Sequence, residues 1–266
     1  MKNINIYKLV IGIVFLSLMF SSVGWSQSGH SVADVVLIID SSGSMRENDP
    51  RELRKEAAKQ FIDLAESDVQ IGVVDFDDRA KTLAELTFAD ENGKSKLKKA
   101  VDTIDADDGT NIYAGLQAGI EILSDLNKAF TARKAAVLLT DGEDNERKTL
   151  QAYVGNYVAN GWSVYTIGLD DGVSVDRDLL KQIADATLEG EYYPVTLDNI
   201  QLVYNTILAK ITLKSVVLAS PSRYINQDQT VEKEVSVDEW VSPVKMTLSW
   251  GEARLKWCSL IPAGQS

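Results

Sequence analysis

Three short segments of this chain carry hard oxygen donors in a pattern that could hold a metal ion. Asp40-Ser41-Ser42-Gly43-Ser44 follows the apolar run from Val35 to Ile39, Gly109-Thr110-Asn111 stands alone, and Thr140-Asp141-Gly142 follows Val137-Leu138-Leu139. Asp40, Ser42 and Ser44 offer a carboxylate and two hydroxyls from one loop, Thr110 a third hydroxyl, and Asp141 a second carboxylate. This set suits Mg²⁺, with Mn²⁺ or Ca²⁺ as alternatives, because such cations prefer carboxylate, hydroxyl and water oxygens over soft ligands. The chain has a single histidine, His30, and a single cysteine, Cys258. With the histidine in an apparent N-terminal tail and the cysteine late in the chain, no nitrogen or thiol donor competes and there is no Ser-His-Asp or Cys-His arrangement to assemble.

The elements that must position these residues are legible in the apolar pattern. Val35 to Ile39, Ile71 to Val74, Ala135 to Leu139 and Val164 to Ile167 lack polar alternation, as expected of parallel strands covered on both faces. Helix-period segments lie between them: Leu53, Ala57, Phe61 and Leu64; Ile112, Leu116, Ile120 and Leu123; Leu150, Tyr153 and Tyr157; Leu179, Leu180 and Ile183; Ile200, Val203, Ile207 and Ile211. Asp49-Pro50, Asp176 and Asp198 read as helix starts for the first and the last two, and Lys81 to Leu86 as an antiparallel edge strand. Alternating strands and helices from residue 34 to about 212 predict an α/β domain with a doubly wound, mostly parallel sheet. Ligands of such sheets bind outside the carboxyl ends of the strands where the strand order reverses. Asp40 and Asp141 each end a strand, so this fold would set them side by side.

The order DxSxS, then a lone Thr, then the Asp of a TDG turn resembles the metal-ion-dependent adhesion site of von Willebrand factor type A domains. All five positions of that pattern match, at Asp40, Ser42, Ser44, Thr110 and Asp141. The resemblance covers residues 32–212 and implies a doubly wound domain. It further implies that Asp40, Ser42, Ser44 and Thr110 contact the ion directly or through water and Asp141 often through water, with a ligand carboxylate completing the octahedron. Two protein carboxylates roughly neutralise a divalent ion, and hydroxyls add no charge, so the ion stays electrophilic enough to take an acidic residue from a partner.

Other signals bound the reading. Lys2 and Lys8, the apolar stretch from Leu9 to Phe20 and the small polar residues after it have the layout of a secretory signal peptide, residues 1–26. Twelve apolar residues fall short of the roughly 17 to 25 that a membrane-spanning helix needs. Export predicts a secreted, periplasmic or cell-surface protein, and a lone Cys258 gives it no intrachain disulfide. The formal net charge of −12 becomes −14 once the two lysines of the leader are removed, which disfavours nucleic acid and anionic membranes as partners. Residues 213–266 change character: Val231, Val235 and Val237, then Val244, Met246, Leu248 and Trp250, alternate with polar residues as a short all-β extension, an incomplete sandwich. Gly93-Lys94-Ser95 fails as a phosphate loop because Phe88 stands where its first glycine belongs, and Asp105, Asp107 and Gly109 lack the EF-hand spacing. Lys94 to Lys99 reads as a solvated helix face.

Around the five residues, Glu47, Asp49, Asp107, Asp108, Glu143, Asp144 and Glu146 outnumber Arg46, Arg147 and Lys148. This predicts an acidic rim and a partner whose carboxylate sits amid basic residues. The expected function is binding rather than catalysis: an exported protein that recognises a protein or peptide ligand through the cation. Two alternatives are a structural or assembly subunit that uses the domain as scaffold, and a metal-dependent hydrolase with Glu143 as base.

Overall fold

The computed structural model describes residues 32–106, 109–124, 132–169 and 175–213. Residues 1–26, expected to form a leader, His30, residues 214–266, expected to form a β extension and containing Cys258, and Asp107 and Asp108 lie outside the described residues. Six strands form one sheet: β1 (Ala33–Asp40), β2 (Val69–Phe76), β3 (Ala80–Phe88), β4 (Arg133–Thr140), β5 (Ser163–Leu169) and β6 (Tyr192–Val195). Their spatial order is β3-β2-β1-β4-β5-β6. All pairs are parallel except β2 with β3. The sheet is therefore doubly wound, and its order reverses between β1 and β4.

Strict alternation along the parallel strands sends every second side chain to the opposite face. Val35, Leu37, Ile39, Ile71, Val73, Val137 and Leu139 point to one face, where they meet three helices: α2 (Leu53–Leu64), α3 (Glu91–Asp102) and α7 (Ile200–Ile211). Val36, Ile38, Val74, Ala136 and Leu138 point to the other and meet α4 (Ile112–Leu123), α5 (Leu150–Asn160) and α6 (Arg177–Asp185). The remaining helix, α1 (Met45–Asn48), is a single turn after β1. Phe61 of α2 and Tyr204 of α7 are fully buried and meet edge to face at 6.0 Å, which ties these helices together. Each such large side chain contributes about 1.5–3 kcal/mol of burial. Among the described residues no helix is long and apolar enough to cross a membrane.

Within the described residues the predicted strands and helices are present, with three differences of physical origin. Asp49-Pro50 does not start α2; the helix begins at Leu53, and Asp49 reaches forward so that its carboxylate accepts the Leu53 and Arg54 N–H groups at 2.7 and 3.0 Å. Asp198 does not cap α7, whose N-cap is Asn199; the Asn199 side chain instead accepts the Thr196 N–H at 2.8 Å. β6 has four residues and contains Pro194, so it showed no apolar run, and it sits at the sheet edge where a missing N–H is tolerated. Asp176 does cap α6, accepting the Leu179 N–H at 2.9 Å, and β3 is the antiparallel edge strand. Gly93-Lys94-Ser95 lies inside α3, which Asp90 caps at 2.8 Å, and Leu97 and Val101 rather than the lysines face the core.

Candidate cation site at the switch point

Parallel pairing of β1 with β4 places Ile39 opposite Leu139, so the two chains leave the sheet together. Their next residues, Asp40 and Thr140, are fully buried and linked: the Thr140 hydroxyl donates to Asp40 Oδ2. The other oxygen of Asp40 accepts the Ser42 backbone N–H at 2.7 Å, which curls the loop back over the strand end. That curl brings the Ser42 and Ser44 hydroxyls to 3.1 Å from each other. Ser44 then crosses between segments, donating to Asp141 Oδ1 at 2.9 Å. The second oxygen of Asp141 accepts the side-chain amide of Asn48, from the last position of α1, at 2.8 Å.

Thr110 arrives from the loop before α4. A Cβ on Gly142 would lie 3.1 Å from Thr110 Oγ1, so the glycine after Asp141 packs closely against that hydroxyl. The backbone confirms the contact, because Asn145 N–H donates to the Thr110 carbonyl at 2.9 Å. The structure thus gathers all five sequence-predicted residues at one end of the β1/β4 junction. Asp40, Ser42, Thr110 and Asp141 are buried, and Ser44 is half-buried.

Electrostatically this arrangement is short of positive charge. Two carboxylates are fully buried within one hydroxyl cluster, and among the described residues the groups seen donating to them are neutral: hydroxyls, a backbone N–H and an amide. Burial, and then the neighbouring Asp141 charge, push the Asp40 carboxyl up to about 7. Such a buried carboxylate pair is relieved either by a proton on one member or by a cation. Among the described residues no group of three His, Cys, Asp or Glu side chains is placed to hold a metal, so any cation here must draw on hydroxyls as well as carboxylates. Asp40, Ser42, Ser44, Thr110 and Asp141 offer that mixture, and the donor set fits a hard divalent ion.

Sequence reasoning missed the braces behind these residues. Asp144 is buried, and its carboxylate accepts the Ile112 N–H at 2.8 Å at the start of α4, the Glu146 and Arg147 N–H groups at 3.2 and 2.8 Å, and the Tyr153 hydroxyl. It rivets the loop after β4 to the helix that follows Thr110. Asp49 is buried against Arg54, whose guanidinium donates to it at 3.1 Å and to the Asp105 carbonyl at 3.0 Å. Charge alone reads both aspartates as solvated rim, and only their partners, distant in sequence, show otherwise.

Of the seven acids expected at the rim, Asp49 and Asp144 are buried instead, Glu47, Glu143 and Glu146 are exposed, and Asp107 and Asp108 lie outside the described residues; Arg46, Arg147 and Lys148 are exposed as well. Lys148 pairs with Glu146 at 2.8 Å and stacks 5.8 Å from the Tyr113 ring. Glu143, the candidate base of the hydrolase reading, is an exposed side chain 3.9 Å from Arg147.

A doubly wound sheet with DxSxS, Thr and TDG segments meeting at its switch point defines the von Willebrand factor type A class. The family model described as von Willebrand factor type A domain matches residues 34–205, and the chain belongs to this family. Calcium-activated chloride channel regulator 1 of Bos taurus is 28% identical over 213 residues, 78% of this chain but 23% of that protein. The chain therefore spans about a quarter of that relative's length. A von Willebrand factor type A protein from Catenulispora acidiphila superposes with TM-score 0.62 at 27% identity, covering 70% of this chain and 44% of that one. Proximal thread matrix protein 1 from the mussel byssus, with a zinc-occupied MIDAS motif, superposes with TM-score 0.57 at 23% identity, covering 69% of this chain and 46% of that one.

Proposed function

We propose that this domain binds a protein or peptide ligand through a divalent cation held by Asp40, Ser42, Ser44, Thr110 and Asp141. The observation that carries the reading is the pair of buried carboxylates whose donors among the described residues are neutral. Mg²⁺ fits best, because hydroxyl and water ligands with little carboxylate suit a small hard ion, and Mn²⁺ or Ca²⁺ would use the same oxygens. The zinc reported for the mussel protein's motif supports a divalent ion at this place in the fold. When bound, the ion supplies an open coordination position to an acidic side chain of the partner. The chain's own part is to hold the oxygens: Thr140 and the Ser42 N–H fix Asp40, Ser44 fixes Asp141, and Thr110 packs against Gly142.

Glu47, Glu143 and Glu146, with Asp107 and Asp108 just before Thr110 in sequence, still outnumber Arg46, Arg147 and Lys148, which favours a partner that presents its carboxylate amid basic residues. With residues 1–26 as an export leader and 213–266 as a β extension, the domain would act outside the cytoplasm as an adhesion or recognition module. The test is thermal melting with Mg²⁺ and with EDTA. Mg²⁺ should raise Tm, and Asp40→Ala or Asp141→Ala should remove the rise. A wild-type domain indifferent to both additions would end the proposal.

A further inference from the structure

We propose that Asn48 is a positioning residue of the cation site, holding Asp141 so that it serves the ion through the Ser44 hydroxyl instead of swinging in to ligate it. This rests on the cation reading above and adds a residue that the DxSxS, Thr and TDG pattern does not contain. The geometry is specific. Asn48 is 8% exposed, stands four residues after Ser44 on the single turn of α1, and donates its amide to Asp141 Oδ2 at 2.8 Å. Ser44 donates to Oδ1 at 2.9 Å. Both oxygens of Asp141 are therefore pinned from one short segment, and the plane of the carboxylate is fixed by two donors on opposite oxygens. Rotation of Asp141 toward the Ser42 and Thr110 hydroxyls would break both bonds.

The chemical consequence concerns how much negative charge touches the ion. With Asp141 pinned, Asp40 is the one carboxylate left to ligate directly, and the remaining protein donors are hydroxyls. That sphere suits a small ion that keeps waters and takes one external carboxylate. Freed from Asn48, Asp141 can turn and add a second carboxylate, mono- or bidentate. This would raise the oxygen count and charge in the manner that favours the larger, more flexible Ca²⁺ sphere. Asn48 thus sets cation preference without touching the cation.

The test is calorimetric titration of Mg²⁺ and Ca²⁺ into the chelator-stripped chain and three variants. Asn48→Ala removes the donor. Asn48→Leu keeps about the same volume without any donor, and Asn48→Ser keeps a hydroxyl donor on a shorter stem. In the alanine and leucine variants the ratio of Mg²⁺ to Ca²⁺ affinity should move toward Ca²⁺ by about tenfold, the scale at which residues behind metal ligands act. The serine variant should stay nearer the wild-type ratio. Far-ultraviolet circular dichroism in EDTA establishes which variants are folded; if alanine is not, leucine decides, since it fills much the same space. An affinity ratio within twofold of wild type in the deciding variant overturns the proposal, whether or not both affinities fall together. Wild type that takes up neither ion overturns the cation reading itself, a separate and recognisable result.

Discussion

Replacing Asp144 with alanine removes the acceptor of four hydrogen bonds, from the Ile112, Glu146 and Arg147 N–H groups and the Tyr153 hydroxyl. Glu146 and Arg147 are exposed, so their N–H groups can turn to water at little cost. The N–H of Ile112 and the Tyr153 hydroxyl are buried and cannot. Two buried donors to a carboxylate, at about 1.5–2 kcal/mol each, give about 3–4 kcal/mol. Loss of a negative charge beside the N-terminus of α4 adds about 0.5 kcal/mol. For a domain of this size a loss of that magnitude lowers Tm by about 10 °C. Urea and thermal unfolding of Asp144→Ala, followed by circular dichroism in EDTA, measure it apart from any cation. Tyr153→Phe, which removes one donor and leaves the carboxylate its N–H partners, should cost about 1–2 kcal/mol. An Asp144→Ala protein that melts within about 2 °C of wild type would show that the loop after β4 is not held through this carboxylate, and the positioning argument for Thr110 would fail with it.

Two further predictions concern buried charge. The folded-state pKa of Asp40 is raised from 3.8 to about 7 by burial and by Asp141, so the folded protein keeps a proton that the unfolded chain has already lost. In EDTA, stability should therefore fall as pH rises from about 4 to about 7, by up to about 1.4 kcal/mol per pH unit, and Asp40→Asn should flatten that slope. Parallel slopes for wild type and Asp40→Asn between pH 5 and 7 would contradict the assignment. Arg54→Met leaves Asp49 buried without its guanidinium partner and should cost about 3–5 kcal/mol in urea unfolding. Arg54→Lys should recover little of it, because an ammonium cannot span both Asp49 and the Asp105 carbonyl as the fork does; a lysine variant as stable as wild type would refute this.

The parts of this fold that the sequence made legible are those governed by local period. Continuous apolar runs marked β1, β2, β4 and β5, and 3.6-residue spacing marked α2 and α4 to α7. The rule that ligands meet at the carboxyl ends of a doubly wound sheet then placed Asp40 and Asp141 together, and the β1–β4 register does so. What stayed hidden depends on partners far apart in the chain. Asp49 and Asp144 look like loop charges until Arg54, Ile112 and Tyr153 are seen to meet them. Asn48 falls outside the motif, and only its bond to Asp141, 93 positions away, gives it a part in the site. Helix starts at Asp49-Pro50 and Asp198 were misplaced because an aspartate can cap from a distance or not at all. Its side chain reports a preference for helix ends without fixing which residue begins the helix.

Recognition through a cation requires that the five oxygen-bearing residues hold one. Calorimetric titration of Mg²⁺ into the chelator-stripped chain tests this most directly. The expected result is one ion per chain, with binding abolished in both Asp40→Ala and Asp141→Ala while each variant remains folded. Saturable binding that survives both substitutions, or no binding by the wild type, would contradict it.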